Sequence, residues 1–169
     1  WYSNLNHSYS GDVICRWDNI YEYWTLFNNK SGDKHRISFD DSKIIERSSV
    51  PDLVDLKITD HCTYGCTFCY QNSTPSGKHA EKRHIINVIE ALANMGVFEI
   101  AIGGGEPTTH PDFFDILRTC KHYNVVPNFS TRDMRFVLDL SSQLEKFSVG
   151  SVGVSVSNST ELKRFIDLD

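Results

Sequence analysis

Residues 60–70 read Asp60-His61-Cys62-Thr63-Tyr64-Gly65-Cys66-Thr67-Phe68-Cys69-Tyr70. The three cysteines have C-x3-C-x2-C spacing and directly follow the apolar run Leu53-Val54-Asp55-Leu56-Lys57-Ile58. Such short spacings let a looping backbone direct several sulfurs at one centre, and thiolates of this kind bind zinc or an iron–sulfur cluster. Structural zinc takes four protein ligands, and no fourth Cys or His stands at zinc-finger spacing. The pattern therefore favours a metal centre with one coordination position open.

A glycine-rich segment, Gly103-Gly104-Gly105-Glu106-Pro107, follows the second predicted strand. Glycines let the backbone approach a ligand closely, and a carboxylate such as that of Glu106 can pair with an ammonium group. The segment fits neither G-x-G-x-x-G nor the phosphate-binding P-loop. A tight turn between a strand and a helix is the alternative interpretation.

Taken together, the cysteine spacing, the aromatic Phe68 and residues 103–106 resemble the signature of the radical S-adenosylmethionine (SAM) enzymes. In that family three cysteines hold a [4Fe–4S] cluster, and the amino and carboxylate groups of SAM chelate the remaining iron. The resemblance implies that the cluster ligands are Cys62, Cys66 and Cys69. It implies a SAM site formed by Phe68, Gly104, Gly105, Glu106, Thr131 and Ser155.

The resemblance is less complete at the ends of the third and fourth predicted strands. Thr131 and Ser155 match positions where the family places hydroxyl side chains toward the SAM carboxylate or ribose. The family often has Thr-Asn-Gly at the third strand, where this sequence has Thr131-Arg132-Asp133. A single serine at the end of a strand also commonly caps the following helix, so that interpretation stays open.

The same resemblance implies an activity. A reduced cluster would pass one electron to SAM, leaving methionine and a 5′-deoxyadenosyl radical that abstracts hydrogen from a substrate carbon. Residues 106–113 resemble the subgroup that modifies peptides, proteins and cofactor precursors. We therefore expect an enzyme that modifies a peptide or protein, supplied with electrons by a donor such as flavodoxin or ferredoxin. No side chain is identified as a general acid, a base or a radical relay.

Two other functions are compatible with the sequence. The first is a radical SAM enzyme that acts on a small metabolite or nucleotide. The second is a zinc-stabilised binding module without catalysis.

Strands and helices alternate after Pro51. Hydrophobic periodicity and capping residues predict strands at 53–59, 97–102, 125–130 and 152–156 and helices at 78–95, from 111, at 133–147 and from 158. Successive βα units predict an α/β fold with a parallel sheet and right-handed crossovers. Ligands bind such sheets at the carboxyl ends of the strands, where the cysteine loop, the glycine segment, Thr131 and Ser155 all fall. The resemblance implies the first four βα units of a partial (βα)6 TIM-like barrel.

The sequence predicts that the chain divides into two parts, residues 1–50 and residues 51–169. Residues 1–50 form a β-rich N-terminal extension, predicted as a β-hairpin with strands at 16–27 and 35–39 and a turn at 28–33. The extension either grips substrate or packs as a cap over the base of the domain. Residues 51–169 form the radical SAM core, which we expect to be truncated at its C-terminus because the chain ends inside a helix-like stretch.

Composition excludes several classes of protein. The 169 residues suit one domain, and 40% hydrophobic with 23% charged residues is typical of soluble globular proteins. A formal net charge of −5 argues against nucleic acid as the main partner. No apolar run approaches the roughly 20 residues that span a bilayer, and no signal peptide opens the chain. Five cysteines, an odd number, argue against a fully paired disulfide framework. A clustered cysteine motif in a chain without a secretion signal indicates metal binding in the reducing cytoplasm. Cys120 fits the apolar face of a helix, which indicates core packing.

Overall fold

The computed structural model describes residues 7–42 and 44–167, so residues 1–6, 43 and 168–169 of the predicted parts lie outside the described residues. An antiparallel sheet comes first, with strands β1 (His7–Ser10), β2 (Val13–Asp18), β3 (Tyr23–Asn28) and β4 (Lys34–Ile37). A parallel sheet follows, with strands β5 (Leu53–Thr59), β6 (Glu99–Gly104), β7 (Val126–Thr131) and β8 (Val152–Val154). The helices are α1 (Lys82–Met95), α2 (Phe113–His122), α3 (Met134–Lys146) and α4 (Ser159–Ile166), and a short 3₁₀ helix covers Pro107–Thr109.

The parallel sheet confirms the predicted α/β class. Its strands lie in chain order, β5-β6-β7-β8, and a helix follows each of them. This sequential order, with a helical crossover after each strand, is the one that builds a TIM-like barrel, whereas a total of six units stays a prediction. None of the helices in the described residues combines the length and the apolar character needed to cross a bilayer.

The main core lies between one face of the parallel sheet and helices α1, α2 and α3. Alternate strand residues face opposite sides of a sheet, so Ile58, Ile100 and Ile102 are buried against the helices. Cys120 is fully buried in this core, as predicted, and burial raises the pKa of its thiol to about 12. The buried members of the core are Ile58, Ile85, Ile89, Ile100, Ile102, Phe113, Ile116, Leu117, Cys120, Val125, Phe129 and Leu144.

Helix α1 begins four residues later than the predicted start at residue 78. The backbone before it is used to extend the end of β5: Asp60 N donates to Lys78 O at 2.8 Å, and Ala80 N donates to Ile58 O at 2.9 Å. These sheet-like bonds hold residues 78–80 out of the helix. The predicted end is right, because Gly96 adopts a left-handed conformation (φ 88°) after the last turn.

The predicted strand at residues 16–27 is wrong because a turn divides it into β2 and β3. The Asp18 carboxylate accepts hydrogen bonds from the backbone N–H groups of Ile20 and Tyr21, and Glu22 N donates to Asp18 O at 2.7 Å. An Asp side chain that bonds the backbone two and three residues ahead favours a turn over a continued strand. The extension is therefore a four-stranded antiparallel sheet and more than the hairpin predicted.

The antiparallel sheet contacts the chain just before β5 and β6, at the end of the parallel sheet opposite its carboxyl edge. Arg16, 1% exposed, donates to Gly96 O at 2.7 Å and to Asp52 Oδ1 at 2.6 Å, and its guanidinium lies 4.5 Å from the centre of the Phe98 ring. Phe27 stacks on Phe98 with ring centres 5.0 Å apart. These contacts favour the interpretation of the extension as a packing cap.

Replacing Arg16 with Met should lower the free energy of unfolding by about 2–3 kcal/mol, because Gly96 O and Asp52 Oδ1 lose a buried charged donor. Arg36→Met is the matched control. Arg36 also binds Asp52, at 2.5 Å, but it is 37% exposed, so its loss should cost at most about 1 kcal/mol. Urea denaturation measures both, and equal losses would show that burial of Arg16 contributes nothing.

Candidate cofactor site

The face of the parallel sheet turned away from the helices borders an open cavity of about 780 Å³. All four parallel strands contribute to its wall, and most of the side chains on it are small or polar. The glycine segment lies at the carboxyl edge of this wall, and Glu99 lies toward the other end of β6. The polar residues along the wall are Asp55, Lys57, Gln71, Glu99, Glu106, Asn128, Ser130, Thr131, Arg132, Ser151 and Ser155.

The cysteine loop leaves the sheet after β5 and is closed at its base by backbone hydrogen bonds. Thr74 N donates to Asp60 O at 3.2 Å, and Cys62 N donates to Thr74 O at 3.0 Å. Gly77 packs so closely against this base that a Cβ there would lie 2.0 Å from Asp60 O. The sequence therefore forms a loop that carries all three cysteines and returns to the edge it left.

The three cysteines differ in their surroundings. Cys62 and Cys66 are half-buried and Cys69 is exposed. Arg132 Nη1 donates to Cys66 Sγ at 2.9 Å. Hydrogen bonds from the backbone of Ser73, and then of Gln71 and Asn72, lower the pKa of Cys69 and outweigh its desolvation. Among the described residues, no three His, Cys, Asp or Glu side chains come together closely enough to hold a metal ion. Convergence of the three sulfurs on one centre thus stays a prediction.

The glycine segment packs directly on the start of the cysteine loop. Gly105 N donates to Thr59 O at 2.8 Å, and Glu106 N donates to His61 O at 2.9 Å. A Cβ on Gly104 would lie 2.3 Å from Thr59 O, and a Cβ on Gly105 would lie 2.2 Å from His61 O. Gly104 also has φ 142°, which L-residues rarely adopt. The glycines therefore join the two motifs, whichever ligand they bind.

Glu106 is 2% exposed and receives hydrogen bonds only from neutral groups. Its Oε1 accepts from the hydroxyls of Thr131 (2.6 Å) and Thr108 (2.7 Å) and from Thr108 N (3.4 Å). Its Oε2 accepts from Arg132 N at 2.9 Å. No Lys, Arg or His in the described part of the chain forms an ion pair with it. A buried carboxylate at the wall of the cavity thus lacks a cation of its own.

Of the other predicted SAM-site residues, Thr131 and Ser155 line the cavity and Phe68 does not. Thr131 borders the cavity, but it is 2% exposed and its hydroxyl also accepts from Asp133 N at 2.8 Å, so it orients Glu106. Ser155 is exposed on the wall, and its N–H donates to Thr131 O at 2.8 Å. Phe68 is 73% exposed and lies outside the residues that line the cavity.

The sequence marked Arg132 only as a departure from the pattern of the family, yet its side chain contacts both the cysteine loop and α4. Besides Cys66, its guanidinium binds both carboxylate oxygens of Glu161, at 2.8 and 3.0 Å, and lies 5.4 Å from the centre of the Tyr64 ring. The contact with Cys66, then the charge of Glu161, raises the pKa of Arg132. The only sequence signal was a cation directly after a strand that ends at the site.

Asp55, Lys57 and Asn128 on the cavity wall were also missed. The alternation of polar and apolar residues in β5 and β7 could have placed them on the face opposite the core.

Comparison with known proteins identifies the family. The sequence model of the radical SAM superfamily matches residues 56–166, well over half of the chain. The chain belongs to the radical SAM superfamily. Enzymes of this superfamily use a [4Fe–4S] cluster and SAM.

The matches to related proteins cover only a part of each relative. Mycofactocin maturase MftC of Mycobacterium tuberculosis (strain CDC 1551 / Oshkosh) is 29% identical over 114 residues, which cover 65% of this chain and 28% of that protein. GTP 3′,8-cyclase of Haemophilus influenzae (strain 86-028NP) is 29% identical over 109 residues, covering 61% and 32%. The chain therefore spans about a third or less of these radical SAM proteins.

Solved structures share the fold. Streptococcus suis SuiB bound to SAM superposes with a TM-score of 0.62 at 13% identity, covering 95% of this chain and 60% of SuiB. SuiB bound to the precursor peptide SuiA gives a TM-score of 0.63 at 11% identity, covering 96% and 60%.

Gly105→Ala should lower the free energy of unfolding by about 1–3 kcal/mol, because the new methyl group meets the carbonyl oxygen of His61 and the backbone must shift. Gly103→Ala is the control, since a Cβ there meets nothing within 4 Å. Urea denaturation of the two variants checks the difference. If both lose the same stability, the close approach of the two segments is not what holds this edge.

Proposed function

We propose that this chain is the part of a radical SAM enzyme that binds the [4Fe–4S] cluster and SAM, and that the whole protein modifies a peptide or protein. The proposed cluster ligands are Cys62, Cys66 and Cys69. Membership of the superfamily supports the proposal, and so does a donor set of three thiols on one loop. When bound to this loop, the reduced cluster would supply the electron that cleaves SAM to methionine and a 5′-deoxyadenosyl radical.

The observation that carries the proposal is the buried carboxylate of Glu106. Its partners are neutral donors, four in number, and it lies at the wall of the cavity next to the cysteine loop. Buried charges are normally paired, so the site suits a ligand that brings a positive group. SAM carries an ammonium and a sulfonium. In this arrangement Glu106 supplies the charge, and the backbone of Gly104 and Gly105 allows close approach.

Thr131 and Ser155 have different tasks in the proposed SAM site. The Thr131 hydroxyl fixes the orientation of Glu106. Ser155 is exposed on the cavity wall, so its hydroxyl is available to a polar ligand group such as a ribose or a carboxylate. Phe68 would have to turn toward the cavity to contact SAM, because it is largely exposed.

A peptide or protein substrate is favoured by the relatives. MftC, which is similar in sequence, is named a maturase, and SuiB, which is similar in fold, has been solved with a bound precursor peptide. A nucleotide or other small molecule is the second candidate, because the sequence identity of GTP 3′,8-cyclase to this chain, 29%, equals that of MftC. With full-length protein and a deuterated peptide, deuterium that appears in the product 5′-deoxyadenosine would support the first candidate. Deuterium that arrives there from a deuterated nucleotide would support the second.

The electron would come from a small redox protein such as flavodoxin or ferredoxin. The cysteine loop is accessible to such a donor, since Cys69 is exposed and the neighbouring Tyr70 is 92% exposed.

Anaerobic reconstitution of the protein with iron and sulfide should give about four iron atoms per chain and a brown protein. Ala at Cys62, Cys66 or Cys69 should remove the cluster and the formation of 5′-deoxyadenosine from SAM. Cys15→Ala is the control, because Cys15 lies in β2 of the antiparallel sheet. A colourless protein that holds stoichiometric zinc would instead indicate a binding module, and full SAM cleavage by Cys66→Ala would refute the cluster assignment.

Glu106→Gln should weaken SAM binding to the reconstituted protein by about 10-fold to 100-fold, because the carboxylate charge is lost. The fold should tolerate the change, because the amide oxygen can keep the bond from Arg132 N and the hydroxyls of Thr108 and Thr131 can accept from the amide NH₂. Only the long bond from Thr108 N is then lost. Glu99→Gln is the control at the far end of the same cavity wall. Equilibrium binding followed by the EPR spectrum of the reduced cluster measures both, and equal SAM affinity in the two variants would contradict the role of Glu106.

A further inference from the structure

Arg132 contacts four residues of the site. Its backbone N–H donates to Glu106 Oε2, and its Nη1 donates to Cys66 Sγ at 2.9 Å. Its Nη2 is held by both carboxylate oxygens of Glu161 at 2.8 and 3.0 Å, and the guanidinium lies over Tyr64 in the cysteine loop. The planar fork of arginine allows these bonds at once, which a lysine ammonium does not.

We propose that Arg132 is a positioning residue that holds the Cys66 sulfur and raises the reduction potential of a cluster bound to this loop. The inference rests on the proposed function, because it needs the cluster that the three cysteines are proposed to bind. It concerns a residue outside the ligand set and outside the SAM-binding residues inferred above.

The physical reason is electrostatic. Adding an electron to a thiolate-ligated cluster makes the centre more negative, so a nearby cation stabilises the reduced form more than the oxidised form. Hydrogen bonds to the cluster sulfurs act in the same direction. Arg132 supplies both effects to one ligand, through a charge-assisted hydrogen bond. It is 19% exposed, so water screens this interaction less than it would at the surface.

Glu161 limits the effect of Arg132. It lies in the first turn of α4, where it also accepts from Ser157 N at 2.8 Å. Its carboxylate therefore holds the guanidinium in place and offsets part of its charge. Changes at Arg132 and at Glu161 should consequently shift the potential in opposite directions. A merely structural clasp between α4 and the cysteine loop would shift it in the same direction for both.

The experiment is an anaerobic redox titration of the protein reconstituted with iron and sulfide, followed by the EPR signal of the reduced cluster. Arg132→Gln should lower the equilibrium constant for one-electron reduction about 10-fold, which is a fall of about 59 mV. Arg132→Lys, which keeps the charge, should recover at least half of that shift. Arg83→Gln removes the same charge from an exposed position on α1 and should leave the potential unchanged.

Glu161→Gln keeps Arg132 in place and should raise the potential. If Arg132→Gln takes up no cluster, this variant decides alone: a rise supports the inference, and no change or a fall overturns it. A potential for Arg132→Gln equal to that of Arg83→Gln overturns it as well. In both of those cases a normal cluster in the unchanged protein leaves the proposed function standing, whereas failure of that protein to bind iron refutes the proposed function itself.

Discussion

The close approach of two backbone segments is the constraint on which the site depends. The glycine segment after β6 bonds to Thr59 and His61 at the start of the cysteine loop, and side chains on Gly104 or Gly105 would collide with those carbonyl groups. Because the segments are this close, the first side chain after the glycines, that of Glu106, is directed into the protein beside the loop. The position of the acidic group relative to the thiols therefore follows from the absence of two Cβ atoms.

Burial of Glu106 in turn brings in the third strand. A carboxylate that is 2% exposed needs donors, and β7 supplies two of them, the Thr131 hydroxyl and the Arg132 N–H. The carboxyl ends of β5, β6 and β7 are thus connected through one residue, whose backbone N–H bonds to His61 and whose side chain bonds to Thr131 and to Arg132 N. The antiparallel sheet makes its contacts through Arg16 at the opposite end of the strands. Stability at one end and chemistry at the other is the usual division in barrels of this kind.

Local signals in the sequence predicted much of this arrangement. The alternation of strands and helices, the end of α1 at Gly96 and the gathering of polar residues at one sheet edge follow from periodicity and strand direction. The turn after Asp18 was missed because the aromatic run around it looks continuous, and the turn depends on one side chain that bonds the backbone ahead. The late start of α1 and the contact between Arg132 and Cys66, 66 residues apart, depend on pairings across the sheet that no local pattern encodes.

The charges at this edge explain why Arg132 is compatible with a proposed site for a cationic ligand, SAM, beside Glu106. Arg132 points its guanidinium at Cys66 and Glu161, away from the carboxylate that its own N–H supports. Because the guanidinium binds Cys66 and Glu161, only the backbone N–H of Arg132 contacts Glu106, and the carboxylate stays available to a ligand. One residue thereby serves the two halves of the site separately: its backbone orients the acidic group, and its side chain holds a thiol. A shorter polar residue in its place would retain the first contact and lose the second.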